Sequence, residues 1–142
     1  MDDIFDLTCS PIVIPRRFWD VPFNDDCYPG KAVGFAKGAN CQQYAYEFLR
    51  HWGFQVPDFR SSDLWEDVEF TAIADRIEPF DIVMVHKGAD AWGAHIGVAL
   101  GENAILHLSK RNGVPAIETL DALMSRPEYR FLIGAKRCLK RA

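Results

Sequence analysis

Three side chains, far apart in the chain, have the types needed for nucleophilic chemistry: Cys41, His95 and His107. A thiol near its ordinary pKa of about 8.5 is mostly protonated at neutral pH. It attacks a carbonyl efficiently only beside a base or an electropositive group. An imidazole can take that proton and later return it to a leaving amine. The base must itself be held in one tautomer and orientation, and a second imidazole can do this through a ring nitrogen. Cys41, His95 and His107 are therefore the catalytic candidates, with the backbone N–H of Cys41 as the oxyanion donor.

The stretch from Gly38 to Gly53 must position the thiol. Tyr44, Ala45, Phe48, Leu49 and Trp52 recur at spacings of three and four, which predicts one apolar stripe on a helix. Asn40 is a good N-cap residue, Gln43 follows in a capping-box-like position, and Gly53 suits the stop. Cys41 then opens the helix, where free N–H groups and the positive dipole end favour a thiolate. On its own, a cysteine on such a helix would be read as core packing.

Strand geometry must bring the histidines together. The runs His95–Leu100 and Ala104–Ser109 flank Gly101-Glu102-Asn103, which has hairpin chemistry. A three-residue loop pairs Leu100 with Ala104, places Gly97 opposite His107, and places Ser109 opposite His95. Both imidazoles then project from one face as diagonal neighbours, roughly 7–8 Å apart. A two-residue loop would put them on opposite faces, so the pairing needs an odd-length loop.

The remaining elements follow in order. Residues 8–30 carry four prolines among aromatics, which predicts an extended, irregular arm over residues 1–27. Ser61 or Ser62 caps a short helical turn through Leu64 and Trp65. Residues 68–77 show no clear pattern. Strands are expected at Ile82–Val85, over the two histidine runs, at Val114–Ile117 and at Phe131–Ala135. Thr119 caps a short helix over Leu120–Met124, and Lys136–Arg141 reads as a solvated basic edge. The expectation is a single α+β domain over residues 1–142, a helix followed by an antiparallel meander.

Composition narrows the function classes. The 142 residues can bury a sizeable core, and 49% apolar with 25% charged residues is ordinary for a globular chain. A net charge of −4 argues against a nucleic-acid partner. No apolar run is long enough to span a bilayer. The acidic start, Met1 to Asp6, lacks the features of a Sec-type signal, so the expected location is cytoplasmic, or outside by another export route. Cys9, Cys27, Cys41 and Cys138 are scattered without a CxxC pair, so no disulfide framework is expected, although Cys9 and Cys27 share one segment.

The order of Cys41, His95 and a second histidine twelve residues on resembles the NlpC/p60-type bacterial cell-wall peptidases. The matching pieces are Asn40-Cys41, Glu78-Pro79-Phe80-Asp81-Ile82-Val83, the run Ala94 to Gly101, and Ala104 to Ser109. The resemblance spans about residues 28–109. It implies a papain-like core, a Cys-His-His triad of Cys41, His95 and His107, no cofactor, and hydrolysis of amide bonds in peptidoglycan stem peptides. Tyr28, beside Gly30, and Gln42 become substrate-binding candidates. The chain departs from the family at the nucleophile, with Asn40-Cys41-Gln42-Gln43 where Asp-Cys-Ser-Gly is usual. Cys41-Gln42-Gln43-Tyr44 also looks like the CHAP amidases, but the paired histidines favour the first family. Other readings stay open: a zinc site of Cys41, His95 and His107, a non-catalytic binding module, or the same chemistry on other substrates. In the last case the chain would be an effector or toxin with an unknown immunity or delivery partner, a phage component, or a cytoplasmic amidase or acyl hydrolase.

Overall fold

The computed structural model describes residues 3–7, 10–101 and 103–142. Cys9, and with it a Cys9–Cys27 bridge, lies outside these residues, as does Glu102 of the hairpin loop. The N-terminal segment corrects one expectation. It begins as a two-stranded antiparallel ribbon, β1 (Asp3–Leu7) paired with β2 (Ser10–Ile14), and only then becomes irregular. Pro11 fits because both strands of such a ribbon are edges, where a missing N–H can face away from the ladder. Phe18 then anchors the arm. It is fully buried, edge-on to Tyr44 and Phe48, and its carbonyl accepts from the Tyr44 hydroxyl at 2.6 Å.

Helix α1 (Cys41–His51) forms where the apolar stripe places it. The Asn40 side chain accepts from the Gln43 N–H at 2.9 Å, satisfying one of the orphan donors of the first turn. The return half of a capping box is absent, because the Asn40 N–H donates to the Cys27 carbonyl at 2.9 Å, while the Gln43 amide donates to the Gly34 carbonyl at 3.3 Å. Tyr44, Ala45, Phe48 and Leu49 are buried, and Gly53 ends the helix with φ +92°, a conformation costly for any residue with a Cβ. Helix α2 (Ser61–Glu66) starts after Arg60. The Ser61 hydroxyl does not cap it, because it accepts from the Gly93 N–H at 2.9 Å and ties α2 to the loop before His95.

Six strands form one antiparallel sheet: β3 (Thr71–Ile73), β4 (Ile82–His86), β5 (His95–Gly101), β6 (Ala104–Leu108), β7 (Pro115–Glu118) and β8 (Phe131–Cys138). Their spatial order is β3-β8-β4-β5-β6-β7. The fold is thus α+β, with β4 to β7 as a meander and β8 returning to the other side of β4. Ile96, Val98, Leu100, Leu106 and Leu108 join the core cluster that includes α1. Val83, Val85, Ala99 and Ile105 form a second cluster with Leu123 of helix α3 (Leu120–Met124), which Thr119 caps as expected. Apolar groups on both faces explain why β4, β5 and β6 read as nearly unbroken apolar runs.

The basic tail is also corrected. Strand β8 runs on through Cys138, and Lys136 is buried, its Nζ donating to the carbonyls of Trp65 at 3.0 Å and Asp67 at 2.6 Å. Arg137 grips the buried Asp81 with two bonds of 2.9 Å, while Asp81 accepts from the Glu78 N–H at 2.8 Å. That clamp fixes the turn entering β4. Among the described residues no helix is long and apolar enough to cross a membrane.

Candidate active site

The two histidines meet. His95 Nε2 lies 2.9 Å from His107 Nδ1, with both side chains on the face of the sheet that carries Ala99 and Ile105. The hairpin reaches this result by an unexpected route. Gly101, not Leu100, pairs with Ala104, so the loop holds two residues. A bulge between Ala99 and Gly101 then restores the register, giving Ala99↔Ile105 and Val98↔Leu106. A Cβ on Gly97 would sit 3.0 Å from His107 Cβ and 2.5 Å from Ile105 Cγ2, so only glycine leaves room for the ring.

A carboxylate completes the chain. His107 Nε2 lies 2.7 Å from Glu118 Oε2. The same oxygen accepts from Asn112 Nδ2 at 3.0 Å, and Oε1 accepts from an Arg126 guanidinium nitrogen at 2.6 Å. The expected strand ended at Ile117, one residue short of this group. Ala116 lies opposite His107, and alternation puts residue 118 on the same face as a diagonal neighbour. Glu118 could therefore have been found by the rule that placed His95. Arg126 and Asn112 come from loops, and no local pattern marks them.

These contacts assign the protons. Partial burial would raise the Glu118 carboxyl, but its hydrogen bonds from Asn112 and His107 and the Arg126 charge hold it below the usual range, so it accepts only. Burial holds His107 neutral by lowering its pKa, with the Glu118 bond and charge opposing this. Neutral His107 thus carries its proton on Nε2 and presents a bare Nδ1. His95 must then donate from Nε2, which leaves its own Nδ1 as the proton acceptor. Burial first, then the repulsion that would arise if both imidazoles were charged, then the Arg126 charge, push His95 well below its ordinary pKa. The Tyr129 ring lies flat on the His95 imidazole at 4.5 Å and 17°, fixing its plane.

Cys41 lines the same cleft as His95, Gln42 and Tyr129, a space of ≈ 590 Å³. Helix α1 places it there because it packs against β5 and β6. The backbone N–H of Ile96, the residue after His95, and those of Gln42 and Cys41 in the first turn of α1 act to lower the thiol pKa. These donors favour a thiolate, but desolvation outweighs them and pushes the thiol up to about 11. At rest the cleft is consequently lined by a neutral thiol and a neutral imidazole.

The substrate-binding candidates separate. Gln42 lines the cleft, and its amide oxygen is buried without a hydrogen-bond partner among the described residues. Tyr28 is not part of the cleft wall. Its ring instead supports Arg60, which is, with the guanidinium carbon 4.7 Å from the ring centre. A zinc set of Cys41, His95 and His107 fits poorly, since the imidazoles spend their facing nitrogens on each other. No protein-family model matches the chain, and no curated protein matches it.

Proposed function

We propose that this protein is a cysteine hydrolase of papain-like type that cleaves amide bonds, with peptidoglycan stem peptides as the substrate class. One observation carries the reading: a hydrogen-bonded run from His95 through His107 to Glu118 opens, at its His95 end, into the cleft that holds Cys41. Such a run fixes a base in one tautomer, which a packing histidine does not need.

The chemistry follows from the proton assignments. The Cys41 sulfur attacks the amide carbonyl as its hydrogen passes to His95 Nδ1. The tetrahedral oxyanion is met by N–H groups of the first turn of α1. The imidazolium that forms is stabilised through His107 by the Glu118 charge, and it protonates the leaving nitrogen as the C–N bond breaks. Water then attacks the thioester with His95 again as base, releasing the acid and the thiol. Since the resting thiol is neutral, the proton moves during attack rather than before it.

The substrate class rests on the resemblance of Cys41, His95 and His107 to the NlpC/p60 arrangement. The test is incubation of wild-type protein and the Cys41→Ala variant with muropeptides, read by mass spectrometry. Gain of one water across an amide bond by wild type alone is the expected result. Equal turnover by the variant, or no turnover of any muropeptide, overturns the assignment.

A further inference from the structure

Charge in the cleft is arranged differently from charge in the chain. The protein carries −4 overall, yet four cations, Arg60, Lys87, Lys110 and Arg111, line this cleft against two carboxylates, Asp25 and Glu128. Both carboxylates are already engaged. Asp25, whose charge reaches the Cys41 sulfur, lies 3.4 Å from Lys110, and Glu128 lies 3.1 Å from Arg111. Arg60 and Lys87 have no carboxylate partner among the described residues.

Arg60 is also held in place. Its guanidinium stands over the Tyr28 ring at 4.7 Å, and Lys31 Nζ approaches the same ring at 5.5 Å. Cation–π contact of this kind orients a cation without neutralising it. The position before Cys41 adds no negative charge, since Asn40 is neutral and its oxygen is spent on the helix cap.

Resting on the hydrolase reading above, we infer that the cleft selects acyl substrates carrying a carboxylate, which Arg60 and Lys87 would receive. A cationic peptide amine is disfavoured there, because no unpaired carboxylate lines the cleft to meet it. Uncompensated cations at a cleft wall concentrate anions by long-range attraction that falls with ionic strength.

The experiment uses thiol-directed probes, so it needs no turnover. Iodoacetyl-glutamate and iodoacetyl-glutamine differ by one carboxylate. Their second-order rates at Cys41, followed by mass spectrometry of the Cys41 peptide, are compared with their rates on free N-acetylcysteine. The expected result is a preference for the glutamate probe of roughly three- to tenfold over the free thiol at low salt, shrinking at high salt. Arg60→Gln and Lys87→Gln should each reduce the ratio of the glutamate to the glutamine rate. Labelling by both probes without that preference overturns the charge inference and leaves the nucleophile standing. Failure of both probes to label Cys41 in folded protein removes the reading beneath it and the inference together.

Discussion

Replacing Glu118 by glutamine tests the relay most directly, because the structure dictates which way the new amide must turn. Arg126 donates to Oε1 at 2.6 Å and can only donate, so the amide oxygen settles there. The amide NH2 then faces His107 Nε2 and Asn112 Nδ2, which lie 2.7 and 3.0 Å from the present Oε2. His107 must release its Nε2 proton to accept from this donor, and it then carries a proton on Nδ1. His95 accepts that proton's hydrogen bond at Nε2, and its own hydrogen shifts to Nδ1, where the thiol proton should go. A serine-protease triad loses on the order of ten thousandfold in kcat when its carboxylate becomes an amide. Here a second imidazole stands between, and the neutral bond replacing a charge-assisted one costs about 1–2 kcal/mol. We therefore expect kcat to fall about five- to thirtyfold with KM nearly unchanged. The assay is initial-rate hydrolysis of the muropeptide by mass spectrometry, alongside thermal melting. Adding Arg126→Leu frees the amide to rotate and should recover part of the loss, an outcome that simple damage to the fold would not give. Activity within threefold of wild type, in a folded Glu118→Gln protein, refutes the relay.

Other consequences are separately measurable. Burial pushes the Cys41 thiol up to about 11, so its alkylation by iodoacetamide should rise about tenfold per pH unit between pH 7 and 10; a plateau below pH 7 would reveal a preformed thiolate instead. Gly97→Ala forces a Cβ to 2.5 Å from Ile105 Cγ2 and 3.0 Å from His107 Cβ, and overpacking should cost about 1–3 kcal/mol in urea melts while displacing His107. Hydrolysis should then fall further than stability alone explains, and a stability loss under about 0.5 kcal/mol would contradict the tight fit. Acid should also destabilise the fold. His95 and His107 have folded pKa values below the ordinary 6.5, so the unfolded chain binds more protons as pH drops past that value. The stability they contribute is complete above about pH 6.5 and is lost as pH falls through their folded values. Urea midpoints at pH 7.5 and 5 measure this in wild type and in the doubly neutral His95→Gln/His107→Gln variant, whose loss between the two pH values should be smaller.

How much of this was legible in the sequence depended on how local its cause was. Helix α1 needed only neighbours: a cap at Asn40, a stripe at Tyr44, Ala45, Phe48 and Leu49, and a stop at Gly53, all present. The pairing of His95 with His107 also followed from alternation, although the assumed loop was wrong. A two-residue turn shifts the register by one, and the bulge after Ala99 shifts it back. Burial explains why the two changes must come together. Val98 and Leu106 pack with α1 while Ala99 and Ile105 pack with Leu123, so a single-residue slip would exchange both sets at once.

What escaped depended on partners distant in the chain. Lys136 looked like solvated charge because nothing near it reveals the carbonyls of Trp65 and Asp67, about seventy residues earlier, that receive its ammonium. Glu118 lay one residue past the expected strand, and although alternation alone puts it beside His107, its role is set by distant groups. Its meaning comes from Arg126 and Asn112 on one side and His107 on the other. The same arrangement explains why an acidic group can lie so near the catalytic candidates without anchoring a cationic substrate. With Arg126 on one oxygen, and Asn112 and His107 on the other, the carboxylate is turned inward toward the imidazoles. Its charge acts on proton placement along the relay, while recognition in the cleft is left to the unpaired cations Arg60 and Lys87.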